Sequence, residues 1–127
     1  MMKDASLDST ADSDVDRAKE MRDAGREEEA LALLYEIINA HPRSAYARLV
    51  AGEILWGRGE LREALSQFEE ATVLVPRSEA ASLSLFHIRL RLDDEEGAFR
   101  EMRRFLADNE SFEYRRLIVE FKKIPPQ

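Results

Sequence analysis

The sequence predicts an all-α chain, a stack of helix hairpins closed by one further helix, and three observations predict it. Helix formers dominate, since Ala, Leu, Glu and Arg are abundant whereas 5 Gly and 4 Pro in 127 residues are few for the turns of an all-β domain. Apolar residues recur at i, i+3, i+4 and i+7 through most of the chain, which is the spacing of one helix face. The pattern also returns every 34 residues, and a period of that size belongs to stacked hairpins that cover one another.

The elements follow in order. Residues 1–12 are polar, rich in Ser and Asp and without period, so they are expected to form a disordered acidic tail. A single domain over 13–124 follows. From Ser13 the first helix carries Val15, Ala18, Met21 and Ala24, with Gly25 as its stop. The second presents Ala30, Leu31, Leu33, Leu34, Ile37 and Ile38 on one wide stripe, and Pro42 closes it. Ser44 reads as the N-cap of a third helix bearing Leu49, Gly52, Leu55 and Trp56, which Gly57 and Gly59 break. Leu61, Ala64, Leu65, Phe68, Ala71 and Leu74 carry the fourth, ended by Pro76. Ser78 caps a fifth that runs through Leu83, Leu85, Phe86, Ile88 and Leu92. Asp93, Asp94 and Glu95 put negative charge where the sixth helix begins and its dipole favours it. Ala98, Phe99, Met102, Phe105 and Leu106 form the apolar face of the sixth. Ser111 opens a last helix with Phe112, Tyr114, Leu117, Ile118 and Phe121, and Pro125 and Pro126 end it.

Five kinds of position share the 34-residue spacing: Gly25 and Gly59; Ala30, Ala64 and Ala98; Leu34, Phe68 and Met102; Ile37, Ala71 and Phe105; Pro42 and Pro76. The small residue of each second helix lets a neighbour approach closely, and the large one four further on lies on the same face and fills the gap beside it. These residues resemble the tetratricopeptide repeat family, whose second helix carries a small residue, three others and Phe, as in Ala64 and Phe68 here. The small residue of the family's first helix appears as Ala18 and Gly52. The resemblance covers about residues 11–110 and implies a right-handed α-solenoid of three hairpins, at about 11–44, 45–78 and 79–110, with a capping helix over 111–124. The third copy departs from the pattern with Phe86 at the small position, Asp93 at the turn glycine and Glu110 at the proline. It is therefore expected to pack with altered spacing, while Asp14 and Arg17 at usually apolar positions leave the first helix prone to fray.

Composition narrows the function. The chain has no Cys, so it offers no disulfide, thiolate metal site or cysteine nucleophile and fits a reducing compartment. No apolar run approaches a bilayer span and the first residues do not resemble a secretory signal, so a soluble, cytoplasmic protein is expected, with no membrane partner. The net charge is −7, five Asp stand against one Lys in residues 1–16, and there is no basic stripe, which disfavours nucleic acid. The two histidines, His41 at a helix end and His87 in the fifth helix, lie in no metal-ligand spacing. There is no phosphate loop and no nucleophile elbow, and the carboxylates gather at helix starts and solvent faces. The expected protein is not an enzyme and needs no cofactor or metal.

What remains is protein–protein interaction. In the family that the chain resembles, the first helices of successive repeats line a concave surface that takes peptides or partner helices. Carried over, its positions are Lys19, Arg22 and Asp23 in the first repeat, Leu49, Glu53 and Trp56 in the second, and Leu83, His87 and Leu90 or Arg91 in the third. Trp56 reads either as a binding anchor or as core packed on the next helix. Some members clamp the C-terminal carboxylate of chaperones with Lys, Asn and Arg; the matching residues here are Val15, Lys19, Val50, Ala80 and Ser84, which disfavours that partner class. The leading expectation is a scaffold that binds a peptide or helix of a partner in its groove. A self-associating module, paired as a homodimer through the last helix, and a small secretion-type chaperone are the alternatives.

Overall fold

A computed structural model describes residues 3–122, with side chains from residue 11 onward. Seven helices follow one another: α1 Lys3–Asp23, α2 Glu27–Ala40, α3 Ala45–Gly57, α4 Leu61–Leu74, α5 Glu79–Arg91, α6 Glu95–Asp108 and α7 Phe112–Lys122. No strand occurs among the described residues. Helices α1 and α2, α3 and α4, and α5 and α6 pair as hairpins; α2 packs on α3 and α4 on α5 between hairpins. The first helices also meet directly, α1 with α3 and α3 with α5. The chain is thus a layered solenoid in which each hairpin covers its neighbour.

The sequence sets the ends of these helices. Ser44 Oγ accepts the Ala47 N–H at 3.1 Å and Ser78 Oγ that of Ala81 at 3.1 Å, the two N-caps expected from sequence. Asp94 Oδ1 caps α6 by accepting from Gly97 N–H at 2.9 Å, and Ser111 Oγ caps α7 by accepting from Tyr114 N–H at 3.0 Å. Inside every hairpin the turn closes alike. The N–H groups of Arg26, Glu60 and Asp94 donate to the carbonyls of Met21, Leu55 and Arg89, five residues back, and the residue before each has a positive φ: Gly25 at 84°, Gly59 at 82° and Asp93 at 64°. A side chain at a left-handed position is strained, and no hydrogen bond to the Asp93 carboxylate compensates among the described residues. Asp93→Gly is therefore expected to raise stability by about 0.5–1 kcal/mol, seen as an upward shift of the thermal midpoint; an unchanged or lower midpoint would show that the turn is not strained.

One sequence expectation is corrected at the N-terminus. The backbone is helical from Lys3, where a disordered tail was expected over 1–12; residues 1 and 2 lie outside the described part. The reason lies in Ala11, which is 2% exposed and continues the buried face of Val15 and Ala18 back by four residues. A helix anchored there propagates at little cost into polar residues. Asp14 and Arg17 remain solvent-facing as a loose pair at 3.9 Å, and α1 runs through them without a break.

The core divides into two clusters. The first gathers Val15, Ala18, Leu34, Val50, Leu55 and Phe68 with Leu85 and Ile88 of α5. At its tightest contact a Cβ added to Gly52 would lie 2.4 Å from Phe68 Cε1, so the glycine makes room for the ring. The second cluster is aromatic. Phe86 meets Phe99, Tyr114 and Phe121 edge-on, at centroid distances of 5.6, 5.5 and 6.4 Å. The bulky residue at the small position of the third repeat thus turns its ring to α6 and α7, while the flexible Met102 stands where the second repeat has Phe68.

The link to α7 is one residue shorter than the two links between hairpins. His41 to Ser44 and Val75 to Ser78 span one residue more than Asn109 to Ser111. Tyr114 therefore stands three residues after its cap, as Ala47 and Ala81 do after theirs. Its ring is fully buried, its hydroxyl lies 2.7 Å from Ser82 Oγ, and burial pushes its pKa up to about 12. Arg77 Nε donates to Asn109 Oδ1 at 3.3 Å and Ser111 Oγ donates to Glu79, which fixes the turn. On the apolar face expected for the last helix, Tyr114 is covered, Leu117, Ile118 and Phe121 are half-buried, and Phe112 is 78% exposed.

Candidate functional site

Because α1, α3 and α5 lie side by side, the residues carried over from the groove pattern can be placed on these three helices. At the α1 end they form a polar bridge. Lys19 Nζ donates to the Tyr46 hydroxyl at 3.1 Å, and that hydroxyl donates to Asp16 Oδ1 at 2.6 Å. The hydrogen bond with Tyr46 raises the Lys19 pKa, and the bond to Asp16 raises that of Tyr46, burial adding to it. Arg22 NH1 reaches Glu53 across the helix pair at 3.4 Å while its Nε holds Asp23 at 3.1 Å. Lys19, Arg22 and Glu53 are therefore engaged in contacts of their own between α1 and α3. Tyr46 and Asp16, the centre of this bridge, were not singled out from the sequence. A tyrosine and an aspartate 30 residues apart come together only because α1 and α3 are adjacent.

The middle of the surface is apolar. Leu49 and Trp56 of α3 are half-buried and pack on the first core cluster; Leu83 and Leu90 of α5 are half-buried and pack on the second. Trp56 stands edge-on to Phe68, with centroids 6.1 Å apart. One side of the indole rests on the ring that fills the space beside Gly52, and part of it remains open to solvent. Packing thus fixes its position on one side and leaves an accessible edge on the other.

His87 and Arg91 lie at the α5 end and are exposed. The His87 ring contacts Phe86 edge-on at 5.1 Å. Loss of water beside α5 lowers its pKa, opposed by the Glu113 carboxylate. Arg91 has no hydrogen bond or ion pair among the described residues. The eight residues thus fall into three groups along the surface: a bridged charged group (Lys19, Arg22, Glu53), an apolar group (Leu49, Trp56, Leu83) and an open cationic edge (His87 when protonated, Arg91). Among the described residues no group of three His, Cys, Asp or Glu could hold a metal ion, and no helix is long and apolar enough to cross a membrane.

No family model and no curated protein matches the sequence. Among solved structures the chain is similar to the second TPR of Spaghetti (RPAP3) bound to the HSP90 peptide SRMEEVD. The TM-score is 0.69 at 19% identity, over 78% of this chain and 92% of that one. At that identity the likeness establishes the fold: an all-helical solenoid of tetratricopeptide-type hairpins.

Proposed function

We propose that this chain is a non-enzymatic interaction module of the cytoplasm, with tetratricopeptide hairpins over 11–44, 45–78 and 79–110 and a capping helix from 111, which holds a peptide or helix of a partner protein on the α1–α3–α5 surface. The observation that carries this reading is that Leu49 and Trp56 of α3 and Leu83 and Leu90 of α5 are half-buried, on two helices that pack directly on each other. Apolar side chains anchored from below and open above are suited to receive the apolar face of another segment, and aromatic anchors of this kind often dominate binding energy. Charged groups stand at both ends, Lys19, Arg22 and Glu53 on one side and Arg91, beside His87, on the other, and would set orientation more than affinity. The structural neighbour, whose own ligand is a peptide, adds support by analogy of fold.

The charged end of the surface argues against an acidic C-terminal peptide as the partner. Of the five positions matching a carboxylate clamp only Lys19 is basic, and it is already bonded to Tyr46. An apolar, helix-forming segment fits better.

The test is a pull-down from native lysate with wild type and a Leu49→Glu/Trp56→Ala double variant whose helical circular dichroism matches wild type. A partner retained by wild type and weakened at least about tenfold by the variant is expected, because a central anchor commonly contributes 2 kcal/mol or more, on the order of a thirtyfold change. The same proteins on both baits would move the site off this surface. Capture of the bait alone would favour self-association through α7, where Phe112 and Val119 stand 78% and 54% exposed.

A further inference from the structure

Two successive junctions between the second helices of the hairpins share corresponding positions 34 residues apart and end differently. In the cleft between α2 and α4, Arg48 reaches out from α3. Its guanidinium donates to the Pro42 carbonyl oxygen through Nε at 3.3 Å and NH2 at 3.2 Å, and to Gln67 Oε1 through NH1 at 3.3 Å. Thirty-four residues on, the corresponding residues are Ser82, Pro76 and Glu101. Ser82 is too short to reach, and its Oγ pairs instead with the Tyr114 hydroxyl. Between α4 and α6, over α5, a cavity of about 450 Å³ stands open, and both Pro76 and Glu101 line it.

The lining states what would fill it. Leu85 and Thr72 give an apolar floor, and Val73, 76% exposed, stands in its wall at the solvent side. Glu101 is 4% exposed, and Arg104 donates one hydrogen bond to each of its oxygens, at 3.0 and 2.7 Å. A carboxylate has about four acceptor positions, so two remain. The Pro76 carbonyl oxygen accepts no hydrogen bond among the described residues, where that of Pro42 accepts two. Arg89 in the opposite wall is held by Glu69 and by the Gly97 carbonyl. The walls are therefore balanced in charge, and the acceptors are those that a guanidinium satisfies in the cleft before.

We propose that the α4–α5–α6 cleft is a docking site for an arginine side chain of a partner protein, seated as Arg48 is seated between α2 and α4. The stem lies against Leu85 and Val73, and the fork donates to Pro76 O and to the outer positions of Glu101. A planar fork serves two separated acceptors at once, as an ammonium does not. The cleft opens between the second helices of the hairpins, so this site stands independently of the α1–α3–α5 surface.

The experiment is a titration of the full chain, followed by amide chemical shifts, with N-acetyl-arginine methylamide and with its citrulline and norleucine counterparts. The arginine compound is expected to give saturable shifts at Thr72, Leu85 and Glu101. The citrulline compound, equal in shape but uncharged, should bind about tenfold more weakly, the loss of one charge-assisted bond. Val73→Trp at the mouth should abolish the shifts without changing helical circular dichroism. Equal binding of the norleucine compound would reduce the cleft to an apolar slot and overturn the proposal. So would the absence of saturable shifts, or shifts that survive Val73→Trp.

Discussion

Phe86→Ala is expected to cost about 3–5 kcal/mol, the range for emptying a buried aromatic position, even though the repeat pattern alone argues the opposite. Position 86 corresponds to Ala18 and Gly52, so an alanine there restores the regular pattern. In the folded chain, however, the ring is fully buried and is the one on which Phe99, Tyr114 and Phe121 converge. Removing it leaves a cavity beneath α7, whose closest support is this cluster. Domains of this size are stable by about 5–15 kcal/mol, so the loss takes much of the total. Urea unfolding followed by circular dichroism measures it as a fall in the midpoint. A midpoint that held or rose would mean that α5 can close against α6 without the ring, and that α7 is held by its turn rather than by the aromatic cluster.

The second large effect lies at the contact of Gly52 with Phe68. Phe68→Ala is expected to cost about 3–5 kcal/mol, since the ring is fully buried and supports Trp56 from below. Gly52→Leu is expected to cost about 3 kcal/mol, the upper end of overpacking, because even its Cβ would stand 2.4 Å from the ring. Combined, the two should cost about 1–3 kcal/mol less than their sum, because the leucine occupies the space that the ring leaves. Denaturation of the three variants and wild type gives this coupling directly. Additive losses would mean that the two residues do not share one space, and would undo the account of why glycine stands at position 52.

The period was legible because the residues that set it are ones whose chemistry has few substitutes. Gly25 and Gly59 supply a left-handed turn, Ser44 and Ser78 supply caps, and Gly52 makes room for Phe68 at a close approach. The third repeat was harder to read for the same reason: Asp93 adopts the turn of a glycine, and Phe86 reverses the small position by facing α6 and α7. The burial of Tyr114 depends on one residue missing between Asn109 and Ser111, and a deletion inside a turn has no signature in composition or periodicity. At the candidate site, the pattern pointed to Lys19, Arg22, Glu53 and Trp56. It could not foresee that Lys19 would be bonded to Tyr46, because that contact depends on the angle at which α1 meets α3. The helical start at Lys3 escaped because Ala11 alone carries the apolar pattern into an otherwise polar stretch.

Helix α5 belongs to both core clusters, giving Leu85 and Ile88 to the first and Phe86 to the second. Its consequence concerns cooperativity. In a linear array each unit is stabilised by its own packing and by the boundary with the next. Here that boundary runs through a single helix, with opposite faces engaged on opposite sides. The α6–α7 end can then melt as a unit of its own, leaving α1–α5 assembled, whereas opening in the other direction removes the floor on which α5 rests. The molecule is thus expected to unravel from its C-terminal end, and ligands on different surfaces would stabilise different lengths of it.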